Sequence, residues 1–273
     1  MPEEVIVCEG LWHIYPGDVV ALRDASLTIA AGEAVGIIGQ NGSGKTTLVK
    51  HFNGLLKPTK GRMLVDGVDA STVGVHELSR KIGYVFQNPN HQLFAKSVTE
   101  ELAFAPTNLG LEPEVVEERV ERAFEFFDLG PLRDTHPYRL SFPLRKLVAM
   151  AAIYTLEPKV FVLDEPTTGQ DHVGVGLVQK LVEKLRTEGA TVVIVSHDMI
   201  LQAESTDRLV VLWQAQIIGD AMPREIFSAD ELMQKTNLQP PQVTQLSRRI
   251  HRSGLPEAAL RVSELAQPLA SML

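Results

Sequence analysis

Residues 34–47 read AVGIIGQNGSGKTT, a short apolar run followed by a glycine-rich turn, a lysine and two threonines. The segment Gly39–Thr47 fits the pattern G-x-x-x-x-G-K-[ST]. An apolar strand is predicted over Ala34–Ile38 and a helix from about Lys45 to Asn53, so the pattern lies between the two elements that it requires. Glycines allow several backbone N–H groups to point at phosphate oxygens, and the start of the helix adds partial positive charge. The stretch therefore predicts a phosphate-binding loop.

Individual residues of this loop have predicted roles. Lys45 is expected to reach the β- and γ-phosphates of a nucleotide, and the hydroxyl of Thr46 is expected to ligate Mg²⁺. The other predicted nucleotide-binding residues of the loop are Gly39, Gln40, Asn41, Gly42, Ser43, Gly44 and Thr47. A glycine-rich turn without a ligand is the alternative, and the agreement of the pattern with its strand and helix argues against it.

A second motif ends another apolar strand. Residues Val160–Leu163 are followed directly by Asp164 and Glu165. Ligands of open parallel sheets bind at the carboxyl ends of the strands, so Asp164 is placed to hold Mg²⁺. Glu165, one residue further, is placed to polarise an attacking water as general base. An apolar run ending in two acidic residues is a weak signal alone, but it is a strong one after a phosphate-binding loop.

Two more polar residues follow predicted strands. His197 comes after the strand Thr191–Ser196, and Gln87 comes after the strand Ile82–Phe86. His197 is expected at the same sheet edge as Glu165, which favours a contact with the γ-phosphate over a purely structural histidine. Gln87 by itself is only a polar residue at a strand end.

Composition excludes several classes of protein. The chain has 273 residues and a net charge of −8, which argues against a bulk nucleic-acid binder. Cys8 is the single cysteine, so a disulfide within the chain and a multi-cysteine zinc site are excluded. The start MPEEVIVCEG has no basic region and predicts no signal peptide. The longest nearly apolar run, 147–156, falls short of the roughly 18 residues that span a bilayer. We therefore expect a cytoplasmic chain whose membrane role depends on a partner.

The order of predicted elements indicates an α/β fold. Short strands dominate the first third, with an antiparallel β subdomain, and amphipathic helices fill an insertion at about 88–156. Strands and helices then alternate, which implies a parallel sheet covered on both faces. From Pro223 onward the sequence pattern again predicts helices. The predicted division is a nucleotide-binding domain over 1–222 and a helical extension over 223–273.

Together these motifs resemble the ATP-binding subunits of ABC transporters, in the right order over most of the chain. Gly39–Thr47 resembles the Walker A loop of that family, and Asp164-Glu165-Pro166-Thr167 its Walker B motif with the catalytic glutamate. The resemblance implies further roles, which are adenine stacking by Tyr15, a Q-loop glutamine and metal ligand at Gln87, a D-loop at Thr168–Asp171, and a switch histidine at His197. Lys45, Glu165 and His197 are the implied catalytic residues.

A narrower resemblance concerns the segment Phe86–Phe94, FQNPNHQLF, which is similar to the Q-loop of energy-coupling-factor (ECF) ATPases. These drive uptake of vitamins and of cobalt or nickel ions. The segments Pro223–Phe227 and Leu238–Pro241 are similar to the C-terminal extension of that group. The resemblance implies an ATPase that uses ATP and Mg²⁺ at the cytoplasmic face of the cell membrane. Its implied partners are a second ABC ATPase subunit, a transmembrane scaffold and a substrate-binding membrane subunit, with no nucleic acid.

One segment departs from the family. The family's signature loop reads L-S-G-G-Q, whereas residues 140–146 read LSFPLRK. In the family this loop caps the γ-phosphate bound by the other subunit of a head-to-tail dimer. Pro143 has no N–H to donate, and Phe142 puts a ring where backbone should approach closely. Losing one preorganised donor costs about 3 kcal/mol, so the site completed by this loop is expected to hydrolyse poorly.

The departure leaves three assemblies open. The simplest is an asymmetric heterodimer in which a partner supplies an intact signature. The others are a homodimer that tolerates the change and a chain that mostly binds ATP.

Three alternative functions fit the sequence less well. A soluble ABC-type ATPase usually has two cassettes or a long coiled-coil insertion, which this chain lacks. A non-catalytic subunit that binds ATP only to hold a dimer together fits the altered signature, but the intact Glu165 and His197 argue against it. A P-loop kinase does not explain the order of motifs.

Overall fold

Two β-sheets and a set of mostly short helices make up the computed structural model, which describes residues 3–250 and 255–272. The strands are β1 (Glu4–Tyr15), β2 (Val19–Ala30), β3 (Ala34–Gly39), β4 (Lys60–Val65), β5 (Val68–Asp69), β6 (Ile82–Val85), β7 (Val160–Asp164), β8 (Thr191–Val195), β9 (Arg208–Trp213) and β10 (Gln216–Ala221). The helices are α1 (Lys45–Phe52), α2 (Val75–Leu78), α3 (Val98–Asn108), α4 (Pro113–Phe127), α5 (Phe142–Tyr154), α6 (His172–Thr187), α7 (Met199–Ser205), α8 (Pro223–Ser228), α9 (Asp230–Thr236), α10 (Gln242–Arg249) and α11 (Val262–Ser271).

The larger sheet has the strand order β10-β9-β3-β8-β7-β6. All neighbours are parallel except β10 and β9. Every residue of β3, β7 and β8 is buried, as expected for strands covered on both faces. One face packs on Leu48 and Phe52 of α1, and the other packs on Val148 of α5 and Leu181 of α6. The predicted α/β fold is confirmed.

The smaller sheet is antiparallel, with the order β2-β1-β4-β5, as predicted for the N-terminal part. Strands β1 and β2 have 12 residues each and are longer than the short strands predicted for this part of the chain, because their pairing continues through several register shifts. Bulges of this kind break the regular alternation on which the prediction relied. Strands β5 and β10 were not predicted: β5 has two residues, and no residue of β10 is fully buried.

Helices α3, α4 and α5 fill the predicted insertion. At the start of α3 the Ser97 side chain accepts a hydrogen bond from the Glu100 N–H at 3.2 Å. The Glu100 carboxylate accepts from the N–H of Lys96 rather than Ser97, so only half of a capping box forms. Helix α5 starts at Phe142. Proline is tolerated in a first turn because its missing N–H would be unpaired there anyway, so Pro143 lies inside the first turn of this helix.

Helices α8 to α11 form the C-terminal part. Ile226 and Phe227 of α8 pack on Ile38 and on β9, so this part begins against the larger sheet. Residues 251–254 and 273 of the predicted extension, and residues 1–2 of the predicted domain, lie outside the described residues. A boundary at residue 222 therefore stays a prediction. Within 3–250 and 255–272, no helix is both long and apolar enough to cross a membrane.

Candidate functional site

The predicted site residues converge at one edge of the larger sheet. The glycine-rich loop follows β3, the two carboxylates lie at the end of β7, and His197 follows β8. Because these three strands are adjacent and parallel, their carboxyl ends meet. The Thr46 hydroxyl donates to Asp164 Oδ1 at 3.4 Å, and His197 Nε2 lies 3.1 Å from Glu165 Oε1. Residues more than 100 positions apart in sequence thus share one site.

Two glycines of the loop have no substitute. Gly39 and Gly44 have φ angles of 150° and 107°. A Cβ atom at Gly39 would lie 2.2 Å from the carbonyl oxygen of Leu212, and one at Gly44 would lie 2.3 Å from that of Ala21. Real Cβ atoms do not approach backbone so closely. The loop conformation therefore depends on these glycines, as the sequence pattern predicts.

The loop has the features of an anion site. Helix α1 begins at Lys45 without a side-chain cap, so the N–H groups of its first turn remain available to a ligand. The buried hydroxyl of Ser43 has no hydrogen-bond partner among the described residues. Lys45 Nζ donates to the carbonyls of Gly39 and Gln40 at 2.7 and 2.9 Å. Burial lowers the pKa of Lys45, while Glu165 and Asp164 raise it. The exposed side of the loop is formed by Gln40, Asn41 and Gly42.

Asp164 is held by two hydroxyl groups. Thr46 donates to its Oδ1, and the phenol of Tyr84 on β6 donates to its Oδ2 at 2.8 Å. The carboxylate is 1% exposed, so burial raises the pKa of Asp164, whereas these two hydrogen bonds lower it. Tyr84 was not among the residues predicted from the sequence. Its only signal was a phenol two residues before the end of an otherwise apolar strand.

The oxygen ligands suit magnesium. No group of three or more His, Cys, Asp or Glu side chains able to hold a metal occurs in the part of the chain that the structure describes. Mg²⁺ commonly takes one or two protein carboxylates together with substrate phosphates and water, so a single carboxylate beside a hydroxyl fits it. Gln87 is exposed, and its backbone carbonyl accepts a hydrogen bond from Lys146 Nζ at 2.7 Å. A metal contact by the Gln87 side chain stays a prediction.

Lys146 is a second residue that the sequence analysis did not single out. Its side chain is fully buried in α5, and its ammonium contacts the Gln87 carbonyl. Burial lowers the pKa of Lys146 to about 8, although Asp164 and Glu165 act in the opposite direction. A lysine inside an apolar helix was the available signal, because an ammonium is seldom buried without a partner.

Glu165 and His197 form a pair at the mouth of the site. The His197 backbone N–H also faces Glu165 Oε2 at 3.4 Å. The side chain of Glu165 is 8% exposed and that of His197 is 45% exposed, so the histidine forms the open side of the pair. Burial raises the pKa of Glu165, and His197 and Lys45 lower it. Glu165 has a φ angle of 52°, a conformation that is rare outside glycine and is often found at functional sites.

Tyr15 lies beside the helix that follows the loop. Its hydroxyl is 3.3 Å from Thr47 Oγ1, and its ring contacts that of His13 edge to face. His51 Nδ1 lies 2.7 Å from the Thr47 carbonyl, which requires this nitrogen to carry a proton. In neutral His51 the Nε2 atom then accepts from His13 Nδ1, at 3.2 Å. A histidine pair thus connects the strand of Tyr15 to the helix of the loop.

This pair predicts acid sensitivity. Burial lowers the pKa of His51 from 6.5 to about 4. Between these values the unfolded chain binds a proton that the folded chain does not, so the free energy of unfolding decreases as the pH falls from 7 to 4, by roughly 3 kcal/mol from this group. Urea unfolding of the wild type and of His51→Gln at several pH values measures it. The wild-type curve is expected to fall more steeply below pH 6.5, and parallel curves would contradict the prediction.

A cavity of about 520 Å³ lies at the other end of the sheet. Its lining includes Lys159 and Thr191, at the amino ends of β7 and β8, and Tyr154, at the end of α5. Ligands of open parallel sheets bind at the carboxyl ends, where the loop and the carboxylates are. This cavity is therefore separate from the sheet edge at which the predicted site residues lie.

Comparison with known proteins decides the family. The sequence profile described as ABC transporter matches residues 22–168, more than half of the chain. The chain belongs to the ABC transporter family. The predicted resemblance to this family is thereby confirmed. The family roles of the individual residues stay predictions.

Curated relatives of this ABC protein match along most of their length. A putative ABC transporter ATP-binding protein of Pyrococcus furiosus is 42% identical over 248 residues, which cover 90% of this chain and 94% of the relative. The energy-coupling factor transporter ATP-binding protein EcfA of Methanoculleus marisnigri is 41% identical, with 90% and 89% covered. The protein of that same name from Methanothermobacter thermautotrophicus is 38% identical, with 98% and 88% covered.

Solved structures agree with the fold. CbiO1 of Clostridium perfringens, described as part of the ABC transporter complex CbiONQ, superposes with a TM-score of 0.75 at 36% identity, covering 90% of this chain and 99% of that one. A dimeric ATP-binding cassette in a post-hydrolysis state, bound to ADP and Pi, gives a TM-score of 0.74 at 25% identity, with 80% and 99% covered. The fold is that of an ABC ATPase domain.

The segment 140–146, which departs from the family's signature sequence, contacts the segment Thr168–Asp171 of the same chain. A Cβ atom at Gly169 would lie 2.9 Å from Cδ1 of Phe142, so the ring covers this glycine. The side-chain amide of Gln170 donates to the Pro143 carbonyl at 3.0 Å. Phe142 and Pro143 therefore occupy defined positions at the start of α5 and pack within their own chain.

Proposed function

We propose that this ABC protein hydrolyses ATP to energise the uptake of a micronutrient, a vitamin or a transition-metal ion, by an ECF-type importer. The observation that carries hydrolysis is the pairing of Glu165 with His197 beside the phosphate loop, 3.1 Å apart at one sheet edge. The relatives named as ECF transporter ATP-binding proteins support the transporter class, since they match about nine-tenths of the chain.

In this proposal the protein mainly positions groups and neutralises charge, as phosphoryl transfer requires. Glu165 orients the attacking water and accepts its proton, and its buried setting, which raises its pKa, makes it a stronger base. Lys45 and His197 place positive charge beside the γ-phosphate. Thr46, Asp164 and Gln87 would hold Mg²⁺, which neutralises phosphate charge when bound. Tyr15 stacks on the adenine, and the backbone N–H groups of Gly39–Thr47 bind the phosphates.

The same proposal includes membrane partners. A second ABC ATPase subunit would form a head-to-tail dimer with this chain at the cytoplasmic face of the membrane. A transmembrane scaffold and a substrate-binding membrane subunit would complete the importer. The helical segment 88–156 would transmit the motion of the dimer to the scaffold. On it the exposed rings of Phe94 and Phe104 lie edge to face, 4.5 Å apart, which suits an apolar partner surface.

The experiment that tests this function is purification of the chain from its native membranes in mild detergent, with every co-purifying subunit identified and counted. We expect one membrane scaffold, a solute-binding membrane protein and two ATP-binding subunits per complex. Recovery of the chain only as a soluble monomer or homodimer would contradict the transporter assignment and leave the nucleotide site in place.

Restoring the signature is expected to raise ATP turnover. The triple variant Phe142→Gly, Pro143→Gly and Leu144→Gln returns backbone donors to the loop that caps the partner's nucleotide. Since one preorganised donor changes the rate by roughly 10²–10³, the restored site is expected to become faster by a factor of that order. Phosphate release by the purified complex at saturating ATP measures it.

The control for this variant is its unfolding midpoint, because removal of Phe142 also uncovers Gly169. Unchanged turnover in a folded variant would mean that the segment lies outside the reaction.

A further inference from the structure

The buried phenol of Tyr84 has one hydrogen bond among the described residues, and its acceptor is the proposed magnesium ligand. Tyr84 Oη donates to Asp164 Oδ2 at 2.8 Å, and the tyrosine is 5% exposed. The other carboxylate oxygen, Oδ1, faces the Thr46 hydroxyl at 3.4 Å, which is a long and weak contact. The two oxygens of Asp164 are therefore not equivalent: one is held by a neighbouring strand, and the other faces the phosphate loop.

Strand pairing explains how Tyr84 reaches this position. Strands β6 and β7 are parallel, with Tyr84 opposite Val162. Side chains of one strand alternate between the two faces, so Tyr84, Val162 and Asp164 share the face that packs on α1. Asp164 is the diagonal neighbour of Tyr84, a separation that an aromatic side chain spans. The ring is further oriented by Phe86, whose centroid lies 4.8 Å away at 61°.

We infer that Tyr84 is a positioning residue for the magnesium ligand Asp164, an inference that rests on the proposed ATP and Mg²⁺ site. By occupying Oδ2, the phenol fixes the rotation of the carboxylate and leaves Oδ1 directed at Thr46. It also supplies a hydrogen bond to a carboxylate that burial would otherwise destabilise. The phenol stays protonated because burial and the neighbouring carboxylate both raise the pKa of Tyr84.

The test is Tyr84→Phe, which removes one oxygen atom and keeps the ring. ATP binding to the full-length chain is measured by calorimetry, once with EDTA and once with excess Mg²⁺. Loss of such an outer contact typically weakens metal binding 10–100-fold. We expect the tightening of ATP binding by Mg²⁺ to fall about tenfold or more, while binding with EDTA changes less than twofold. Tyr154→Phe, at a buried tyrosine near the opposite end of the sheet, is the matched control and is expected to behave as the wild type.

A double-mutant cycle with Asp164→Ala shows whether Tyr84 acts through Asp164. In the Asp164→Ala background, Tyr84→Phe is expected to have no further effect on the Mg²⁺-dependent tightening. If the effects of Tyr84→Phe and Asp164→Ala on this tightening multiply, the inference is overturned. It is also overturned if Tyr84→Phe leaves the Mg²⁺-dependent tightening unchanged, or if it weakens ATP binding equally with EDTA and with Mg²⁺. If Mg²⁺ does not tighten ATP binding to the wild type, the proposed magnesium site is wrong and this inference falls with it.

Discussion

Glu165→Gln is expected to slow ATP turnover by about 100-fold or more while ATP remains bound. Glutamine keeps the size of the side chain and a hydrogen-bonding oxygen near His197, but it cannot accept a proton from water. In an asymmetric dimer this chain supplies the nucleotide pocket of the competent site, so the substitution is expected to slow ATP turnover by the whole complex. Phosphate release by the complex measures the rate, and retention of labelled ATP after rapid desalting measures the trapped state.

The matched control for this variant is Glu183→Gln, which removes an exposed carboxylate from α6. It is expected to leave turnover unchanged, because Glu183 lies on the surface of a helix away from the loop. Near-normal turnover in Glu165→Gln would remove Glu165 as the base. Loss of ATP binding in that variant would show instead that the side chain supports the structure of the pocket.

The location of the site could be predicted because it depends on strand order and polarity rather than on detailed packing. Asp164 and Glu165 end one apolar run and His197 follows another. Alternating strands and helices imply parallel strands, and parallel strands place their carboxyl ends at one edge. Only the type and direction of the elements had to be right. The distances of 3.4 Å from Thr46 to Asp164 and 3.1 Å from His197 to Glu165 agree with that reasoning.

Groups that support the site could not be predicted, because they depend on register and on contacts between distant elements. Tyr84 and Asp164 are 80 positions apart in sequence, with the helical segment between them. They come into contact only because β6 pairs with β7. Lys146 meets the Gln87 carbonyl only after α5 has packed beside β6. Hydrophobic periodicity shows which face of an element is buried but not which polar group of a neighbour it meets.

Backbone irregularity explains the remaining errors. The bulged register of β1 with β2 hides the length of these strands from a pattern search. Helix α5 includes Phe142 and Pro143 because the first helical turn accepts proline. Residues 142 and 143 thus form a regular helix start. Poor hydrolysis at the site that this segment completes would therefore come from the missing backbone donor and the Phe142 ring, and not from local unfolding.

Lys45→Ala is expected to abolish tight ATP binding. The ammonium lies inside the loop, where it holds the carbonyls of Gly39 and Gln40, and it supplies the charge nearest to the phosphates. Hydrogen bonds between charged groups contribute about 1.5–3 kcal/mol each, so loss of the ammonium from both the loop and the triphosphate should weaken binding by at least roughly 100-fold. Calorimetry with ATP and Mg²⁺ measures it.

The matched control for Lys45→Ala is Lys180→Ala, which removes an exposed lysine from α6 and is expected to bind ATP normally. Lys45→Arg separates charge from shape. The guanidinium keeps the positive charge, but it is planar and bulkier than the ammonium that contacts the carbonyls of Gly39 and Gln40. It is therefore expected to restore little of the affinity. Unchanged affinity in Lys45→Ala would count against the phosphate-loop assignment. Full rescue by arginine would mean that charge alone, without the fit of the ammonium into the loop, accounts for the binding.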